Sequence, residues 1–227
     1  MCKPFLGIDT NEMNQESQLL EASIKGDKEL VLQLLEKGVS PNCKDNSGRG
    51  PLLSFFPEII KLLIKYGANP NQQLNENGHS VLSGLCYANS IFNTKGTNQK
   101  ECIKLLIENG ANLEIGYNPS NETPLHHATA PMGNDNPEII ELLLINGANP
   151  NSKTIPNIGS HNFYNRAKTK GETPLHRAAA FCSNETIEIL INFGANKEVV
   201  DSNGETPLSW ACWYRRPKSL IDKLLVK

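Results

Sequence analysis

A short string of residues recurs along this chain and constrains the fold more than any other feature. Glu-Thr-Pro-Leu begins at Glu122, Glu172 and Glu205, and the last two copies lie 33 residues apart. Threonine is a good N-cap, and proline suits the first helical position because its missing N–H has no intrahelical partner there. Each copy therefore predicts a helix that begins at the proline.

A second helix is predicted within each repeat. An aliphatic run such as Glu138–Leu144 follows the first helix and ends in Gly-Ala or Gly-Val. Glycine adopts the left-handed conformation that ends a helix without steric cost. We therefore expect second helices to end at Gly38, Gly67, Gly110, Gly147 and Gly194.

The pattern Thr-Pro-Leu-His-x-Ala at Thr123 and Thr173 resembles the ankyrin repeat family. The resemblance implies an all-α ankyrin-repeat solenoid of about six helix-turn-helix units with connecting β-hairpin loops. Units of this kind stack because a single unit cannot bury its apolar faces alone. We expect a flexible N-terminal segment at 1–15 and a single domain at 16–227, with units at about 16–48, 49–78, 79–121, 122–170, 171–203 and 204–227.

Departures from the repeat length predict where the units differ. The second unit lacks about one helical turn around Ser54–Pro57, so its first helix is expected to be vestigial. Additional residues near 89–99 and 131–136 are expected at helix–helix turns. The largest insertion, at 152–165, lengthens the hairpin at 152–171, which we call the finger.

Composition narrows the class of protein. Twenty-two basic and 24 acidic residues give a net charge of −2, which makes nucleic acid an improbable partner. No apolar run reaches the length of about 18 residues that a membrane span needs, and the N-terminus lacks a signal-peptide pattern. The six cysteines show no C-x-x-C spacing and are expected to be reduced. We predict a cytoplasmic monomer.

We predict no enzyme activity, no catalytic residue, no metal site and no cofactor. In the family, the histidine of the motif bonds the threonine and the neighbouring unit, which implies a structural role for His126 and His176. His127 follows His126 directly, but adjacent helical side chains point about 100° apart and do not converge on one metal.

The resemblance places the partner-binding side chains on the first helices, which face a concave surface in this family. These predicted contacts are His127, Arg177, Phe181, Trp210, Trp213, Tyr214 and Arg215. Aromatic residues and arginine together are typical of binding hot spots. In an alternative interpretation, Trp210 and Trp213 cover the apolar end of the last unit.

The finger is basic and aromatic. It contains Lys153, Arg166, Lys168 and Lys170 without an acidic residue, together with the predicted contacts Phe163 and Tyr164. In one interpretation the finger is a binding element, and nucleic acid or a phosphorylated ligand is then the alternative to a protein partner. In the other interpretation it is a solvated hairpin.

Three asparagines, Asn42, Asn71 and Asn151, each follow a leucine by eight residues and resemble substrates of asparaginyl hydroxylase in ankyrin repeats. The simpler interpretation is that they close a hairpin by bonding their own backbone.

The predicted function is a non-enzymatic protein–protein interaction scaffold that presents a concave surface to a protein partner. A targeting or regulatory subunit of an enzyme is an alternative with the same sequence signature. The abundance of Asn, Lys and Ile favours an AT-rich genome, and hence an effector delivered into a host cell.

Overall fold

A computed structural model describes residues 14–74, 79–88, 98–115, 119–129, 135–159 and 168–226. Within these ranges the chain forms helices joined by turns. They are α1 Gln15–Lys25, α2 Lys28–Glu36, α3 Pro57–Lys65, α4 Val81–Ala88, α5 Gln99–Glu108, α6 Pro124–Ala128, α7 Pro137–Ile145, α8 Pro174–Phe181, α9 Asn184–Asn192, α10 Pro207–Trp213 and α11 Lys218–Leu224. The prediction of an all-α ankyrin solenoid is confirmed.

The helices form two layers. The first helices pack on one another along the array, α4 against α6, α6 against α8 and α8 against α10. The second helices α2, α3, α5, α7, α9 and α11 pack in that order in the other layer. Small, fully buried side chains such as Ala178 and Ala211 allow α8 and α10 to approach closely. The core is therefore continuous along the array and consists mainly of Leu, Ile, Val and Ala.

The second unit has no first helix. Between α2 and α3 the described chain forms turns at 50–56, as the shortened repeat predicted. Ser54 partly replaces the missing helix, because its buried hydroxyl donates to the carbonyl of Ser23 in α1 at 2.9 Å. Phe56 packs so closely on Gly26 that a β-carbon there would lie 2.7 Å from its ring. Glycine is thus required at position 26 by both its φ of 76° and this contact.

The predicted ends of the second helices are confirmed. All five glycines have φ between 86° and 98°, the left-handed conformation that ends a helix: Gly38, Gly67, Gly110, Gly147 and Gly194. The hairpins that follow contain isolated antiparallel bridges, Gln73 with Ser80 and Gly159 with Lys168, and no longer strand within the described ranges.

Two of the predicted insertions lie mostly outside the described residues. The additional residues near 89–99 and 131–136 follow α4 and α6 in the chain, and 89–97 and 130–134 are among the residues that the structure does not describe. Most of the N-terminal segment, 1–13, also lies outside the described residues. Helix α1 begins at Gln15 with Asn14 as its N-cap, so the first described helix starts slightly earlier than position 16.

Candidate protein-binding surface

The two motif histidines join neighbouring units. Nδ1 of His126 lies 2.9 Å from the hydroxyl of Thr123, and its Nε2 lies 3.3 Å from the carbonyl oxygen of Glu172 in the next unit. His176 repeats the pattern, and its Nε2 lies 3.0 Å from the carbonyl oxygen of Glu205. The backbone N–H of Thr123 also donates to Nδ1 of His126, so the ring proton resides on Nε2. The structural role predicted for both histidines is confirmed.

Both histidines are held in the neutral form. Burial, reinforced by the nearby charge of Arg177, lowers the pKa of His126 to about 3. Burial likewise lowers the pKa of His176. Neutral rings whose nitrogens already bond the backbone and a threonine are engaged in structure and do not serve as general bases.

Arg177 points into the junction between the fourth and fifth units. Its side chain has no exposed surface, and Nη2 lies 2.6 Å from Oε1 of Glu122 and 2.6 Å from Oε1 of Glu172. Nη1 also donates to the carbonyl of His126 at 3.3 Å. The prediction that Arg177 presents its side chain at the surface is therefore wrong. A buried guanidinium is tolerated here because two buried carboxylates pair with it.

The remaining oxygens of these carboxylates are also bonded. Oε2 of Glu172 accepts from the hydroxyl of Thr154 at 2.8 Å and from the backbone N–H of Lys170 at 2.6 Å. Oε2 of Glu122 accepts from the hydroxyl of Ser120 at 2.8 Å. Burial alone would raise the pKa of Glu172, but the charge and hydrogen bonds of Arg177 hold that pKa at about 2. We call Ser120, Glu122, Thr154, Glu172 and Arg177 the junction network.

Sequence reasoning missed the junction network. The signal was present, since a glutamate precedes every Thr-Pro of the motif. However, Glu122 and Arg177 are 55 positions apart. Only the stacking of the fourth unit on the fifth brings them together.

His127 occupies the position in the fourth unit that Arg177 occupies in the fifth. Only 2% of it is exposed, so its predicted place on the binding surface is wrong. Its ring lies 5.6 Å from that of His79 and 6.2 Å from that of Tyr87, both in the third unit. His127 thus packs at the junction between the third and fourth units.

Trp210 holds the same position in the last unit and is 5% exposed. Its indole N–H donates to Oδ2 of Asp201 at 3.1 Å, and its ring packs edge-on against His176 with centroids 5.5 Å apart. The ammonium of Lys170 lies 5.2 Å from the centre of the indole ring. A buried indole with a bonded N–H fits the capping interpretation of Trp210 rather than the anchoring one.

Other aromatic side chains at the end of α10 are exposed. Trp213 is 80% exposed and Tyr214 is 50% exposed. The ring of Tyr214 meets that of Phe181, from the end of α8, at a centroid distance of 4.7 Å and an angle of 68°. Arg215 is exposed and has a φ of 51°, which is uncommon for a residue with a β-carbon. We call Phe181, Trp213, Tyr214 and Arg215 the terminal patch.

The base of the finger is integrated into the array. Ile155 donates its N–H to the carbonyl of Ser120, and Asn157 and Thr169 pair across the base. Lys153, Lys168 and Lys170 are exposed, but Nζ of Lys153 donates to the carbonyl of Val200 at 3.0 Å. The predicted contacts Phe163 and Tyr164, and also Arg166, lie outside the described residues. Because Thr154 belongs to the junction network, the base of the finger contributes to the packing of the array and is more than a solvated hairpin.

The three asparagines bridge neighbouring units. Nδ2 of Asn71 donates to the carbonyl of Gly110 at 2.8 Å, and its Oδ1 accepts from the N–H of Asn112 at 2.7 Å. Asn42 and Asn151 make the same pair of bonds to the units that follow them. The interpretation that they bond their own backbone is wrong, and their hydroxylation stays a prediction. Glu114 replaces the asparagine in the third unit and accepts from the N–H of Asn149.

The cysteines occupy core or surface positions. Cys43, Cys86, Cys102 and Cys182 are buried and unbridged, and burial raises their pKa, to about 11 for Cys43 and about 12 for Cys102. In the part of the chain that the structure describes, no group of three or more His, Cys, Asp or Glu side chains has the arrangement of a metal site. Across the same residues, none of the helices has the length and apolar character of a membrane span.

Comparisons with known proteins agree with this architecture. The family model for ankyrin repeats in three copies matches residues 54–154 and 156–226. An ankyrin repeat protein of Acanthamoeba polyphaga mimivirus is 31% identical over 148 residues, which are 65% of this chain and 12% of the viral protein. The B-cell lymphoma 3 protein homolog of Mus musculus is 24% identical over 96% of this chain and 43% of its own length. The chain thus spans less than half the length of each of these two relatives.

Solved structures share the fold. The human ASB11 ankyrin repeat domain superposes with a TM-score of 0.70 at 24% identity, covering 96% of this chain and 86% of that domain. A chain in the complex of a predatory endopeptidase with an immunity protein from Bdellovibrio bacteriovorus gives a TM-score of 0.67 at 23% identity, covering 90% of this chain and 96% of that one. With the family model matching most of the chain, the repeated motif and the stacked helix pairs have one explanation: the chain belongs to the ankyrin repeat proteins.

Proposed function

We propose that this chain is a non-enzymatic protein-binding scaffold and that the terminal patch is its main contact surface. Ankyrin repeats generally mediate interactions between proteins. The buried histidines, the junction network and the bridging asparagines are engaged in holding units together. Side chains that bind a partner therefore have to come from what the array leaves exposed.

The exposure of Trp213 is the observation that carries the proposal. Among the described residues it has the largest exposed fraction, 80%, of any large hydrophobic side chain. Exposed tryptophan and tyrosine beside arginine are the composition of binding hot spots. The packing of Tyr214 on Phe181 restricts both rings, which reduces the entropy lost when a partner binds.

Binding of nucleic acid through the finger has less support. Of the three lysines described there, Lys153 donates to a backbone carbonyl and Lys170 lies over the ring of Trp210. A nucleic-acid site requires several cations directed at phosphates, and such binding weakens steeply as salt rises.

We propose further that the chain acts on a host cell from the cytoplasm of that cell. Relatives with comparable identity include viral proteins, among them the mimiviral protein and an ankyrin repeat protein of Fowlpox virus that is 30% identical over 56% of this chain. A role as a targeting or regulatory subunit is compatible with the same contact surface.

A capture experiment with a surface variant tests the contact surface. The double variant Trp213→Ala/Tyr214→Ala removes exposed rings without altering the junction network. Ile145→Ala is the matched control, because Ile145 is a 64% exposed apolar residue on α7. We expect the wild-type chain and the control to capture the same proteins from a candidate host extract and the double variant to lose them. Capture that is unchanged in the double variant would place the binding surface elsewhere.

A further inference from the structure

The charges next to the terminal patch along the chain are mainly positive. From Thr206 to Ile221 the chain contains Arg215, Arg216 and Lys218 and no acidic residue. Arg215 and Lys218 are exposed, whereas Nη2 of Arg216 donates to the carbonyl of Cys182 at the end of α8. The exposed aromatic rings thus lie beside cations that no carboxylate of their own segment neutralises.

Two carboxylates on adjoining segments are already engaged, Asp135 and Asp201, whereas Asp222 on α11 is exposed. Oδ2 of Asp135 accepts from the N–H of Ser183 at 2.9 Å and from its hydroxyl at 2.8 Å. Asp201 accepts from the indole of Trp210 through Oδ2 and from the N–H groups of Asn203 and Glu205 through Oδ1. These hydrogen bonds hold both carboxylates against backbone or buried groups.

The opposite face of the array has a different pattern. Along the second helices, lysine and glutamate pair between units, as Lys100 with Glu138 at 2.7 Å and Lys61 with Glu101 at 4.0 Å. On these second helices some charges therefore have intramolecular partners of opposite sign. The terminal patch instead combines the exposed cation Arg215 with the largely exposed ring of Trp213.

A row of rings extends the patch toward the finger. Tyr214 contacts Phe181 at 4.7 Å and Trp210 at 6.5 Å, and the ammonium of Lys170 lies over Trp210. Lys170 therefore stands at one end of an aromatic row, and Arg215 directly follows Tyr214 in the chain. This order of charges matches an extended segment with an apolar centre and flanking carboxylates.

Resting on the proposed function, we infer that the partner of the terminal patch is an acidic protein segment that carries aliphatic or aromatic residues among its carboxylates. Its apolar side chains cover Trp213, Tyr214 and Phe181, and its carboxylates pair with Arg215 and Lys218. Opposite charges on the two sides of such a contact increase the specificity for the correct partner and the rate at which it associates.

Selection from a displayed library of random peptides tests the chemical class. Peptides enriched on the whole chain should be net negative and contain Leu, Phe or similar residues. The best of them, made synthetically, should bind at least about tenfold more weakly when its Glu and Asp become Gln and Asn, which corresponds to about 1.4 kcal/mol. Its binding should shift the emission of exposed Trp213 to shorter wavelength, and a Trp213→Phe variant should lose this shift.

Surface variants locate the binding. Arg215→Asn removes the charge while keeping a residue that tolerates positive φ, and with Lys218→Gln it should weaken the acidic peptide at least about tenfold. Lys104→Gln on α5 is the control and should leave affinity unchanged.

Enrichment of neutral or basic peptides, no enrichment, or unaltered affinity in the Arg215→Asn/Lys218→Gln variant overturns the inference. Tight binding of single-stranded oligouridylate that depends on Arg215 would also overturn it in favour of nucleic acid. If the peptide tests fail while Trp213→Ala/Tyr214→Ala still abolishes capture of cellular proteins, the proposed function stands and only the acidic class is wrong.

Discussion

The guanidinium of Arg177 in the fifth unit lies 2.6 Å from the carboxylate of Glu122 in the fourth, and neither side chain has any exposed surface. A second carboxylate, Glu172, lies at the same distance. Because the two glutamates come from different units, the ion pairs fix how the units stack. The stability of this junction depends on keeping all three charges together.

Arg177→Met should destabilise the chain strongly, because it leaves two carboxylates buried without a cation. Removing one partner of a buried ion pair costs about 3–5 kcal/mol. The triple variant Arg177→Met/Glu122→Gln/Glu172→Gln should recover much of that loss. Urea unfolding measures both, with Arg49→Met as control, since the exposed pair of Arg49 and Asp45 contributes at most about 1 kcal/mol. A loss at Arg177 no larger than the loss at Arg49 would contradict the buried network.

Acid should destabilise the fold before most carboxylates titrate. The folded chain holds the pKa of His126 at about 3, below the ordinary 6.5, and also lowers that of His176. The unfolded chain therefore takes up protons below about pH 6.5 that the folded chain refuses, and stability falls as pH decreases. Each histidine contributes about 1.4 kcal/mol per pH unit where only the unfolded form is protonated.

Urea unfolding between about pH 5 and 7 measures this slope. The His126→Gln variant should take up about one proton fewer on unfolding, so the slope of its unfolding free energy against pH should be smaller by about 1.4 kcal/mol per pH unit. This difference is expected whatever the substitution does to stability at neutral pH. Stability that is constant or rises as pH falls through this range would show that the histidines are not held neutral.

The two tryptophans should differ in their effect on stability. Trp210→Ala removes a buried ring and its bond to Asp201, and should cost about 3–5 kcal/mol. Trp213→Ala removes an exposed ring and should cost less than about 1 kcal/mol. Thermal and urea unfolding of the two variants compare them directly. The reverse order of losses would mean that Trp213 is the cap of the array and not part of a contact surface.

The N-terminal part should open first. The second unit lacks a first helix, so among the described residues α1 has no helical neighbour in its layer, and the segment Gln18–Tyr66 is held mainly by the second layer. Hydrogen exchange should therefore show lower protection for that segment than for Thr123–Phe193, because a solenoid opens first at its poorest interface. Equal protection along both segments would show that Ser54 and Phe56 replace the helix fully.

The finger should divide into a tip, residues 160–167, and a structural base formed by the residues on either side of the tip. Replacing residues 160–167 with Asn-Gly joins the bridge partners Gly159 and Lys168 through a two-residue turn and should leave the melting temperature close to that of the wild type. Thr154→Val removes a donor from the buried Glu172 and should cost about 1–3 kcal/mol. Loss of cooperative unfolding in the tip variant, or a neutral Thr154→Val, would contradict this division.

The sequence by itself determined the repeat, the helix ends and the missing helix of the second unit. These features depend on local chemistry: a threonine and a proline begin a helix, a glycine ends it, and too few residues leave no helix at all. The roles of His126 and His176 were implied by the family resemblance, and each ring bonds a threonine three positions away.

Only the tertiary structure decided which side chains of the first helices face a neighbour and which face solvent. Arg177 and Trp213 both fit a binding surface from the sequence, yet one is fully buried and the other is 80% exposed. The reason is that a charged residue enters the interior only when carboxylates meet it there, and Glu122 reaches Arg177 from 55 positions away. The bridging asparagines were assigned to the wrong backbone for the same reason, since their partners lie in the next unit.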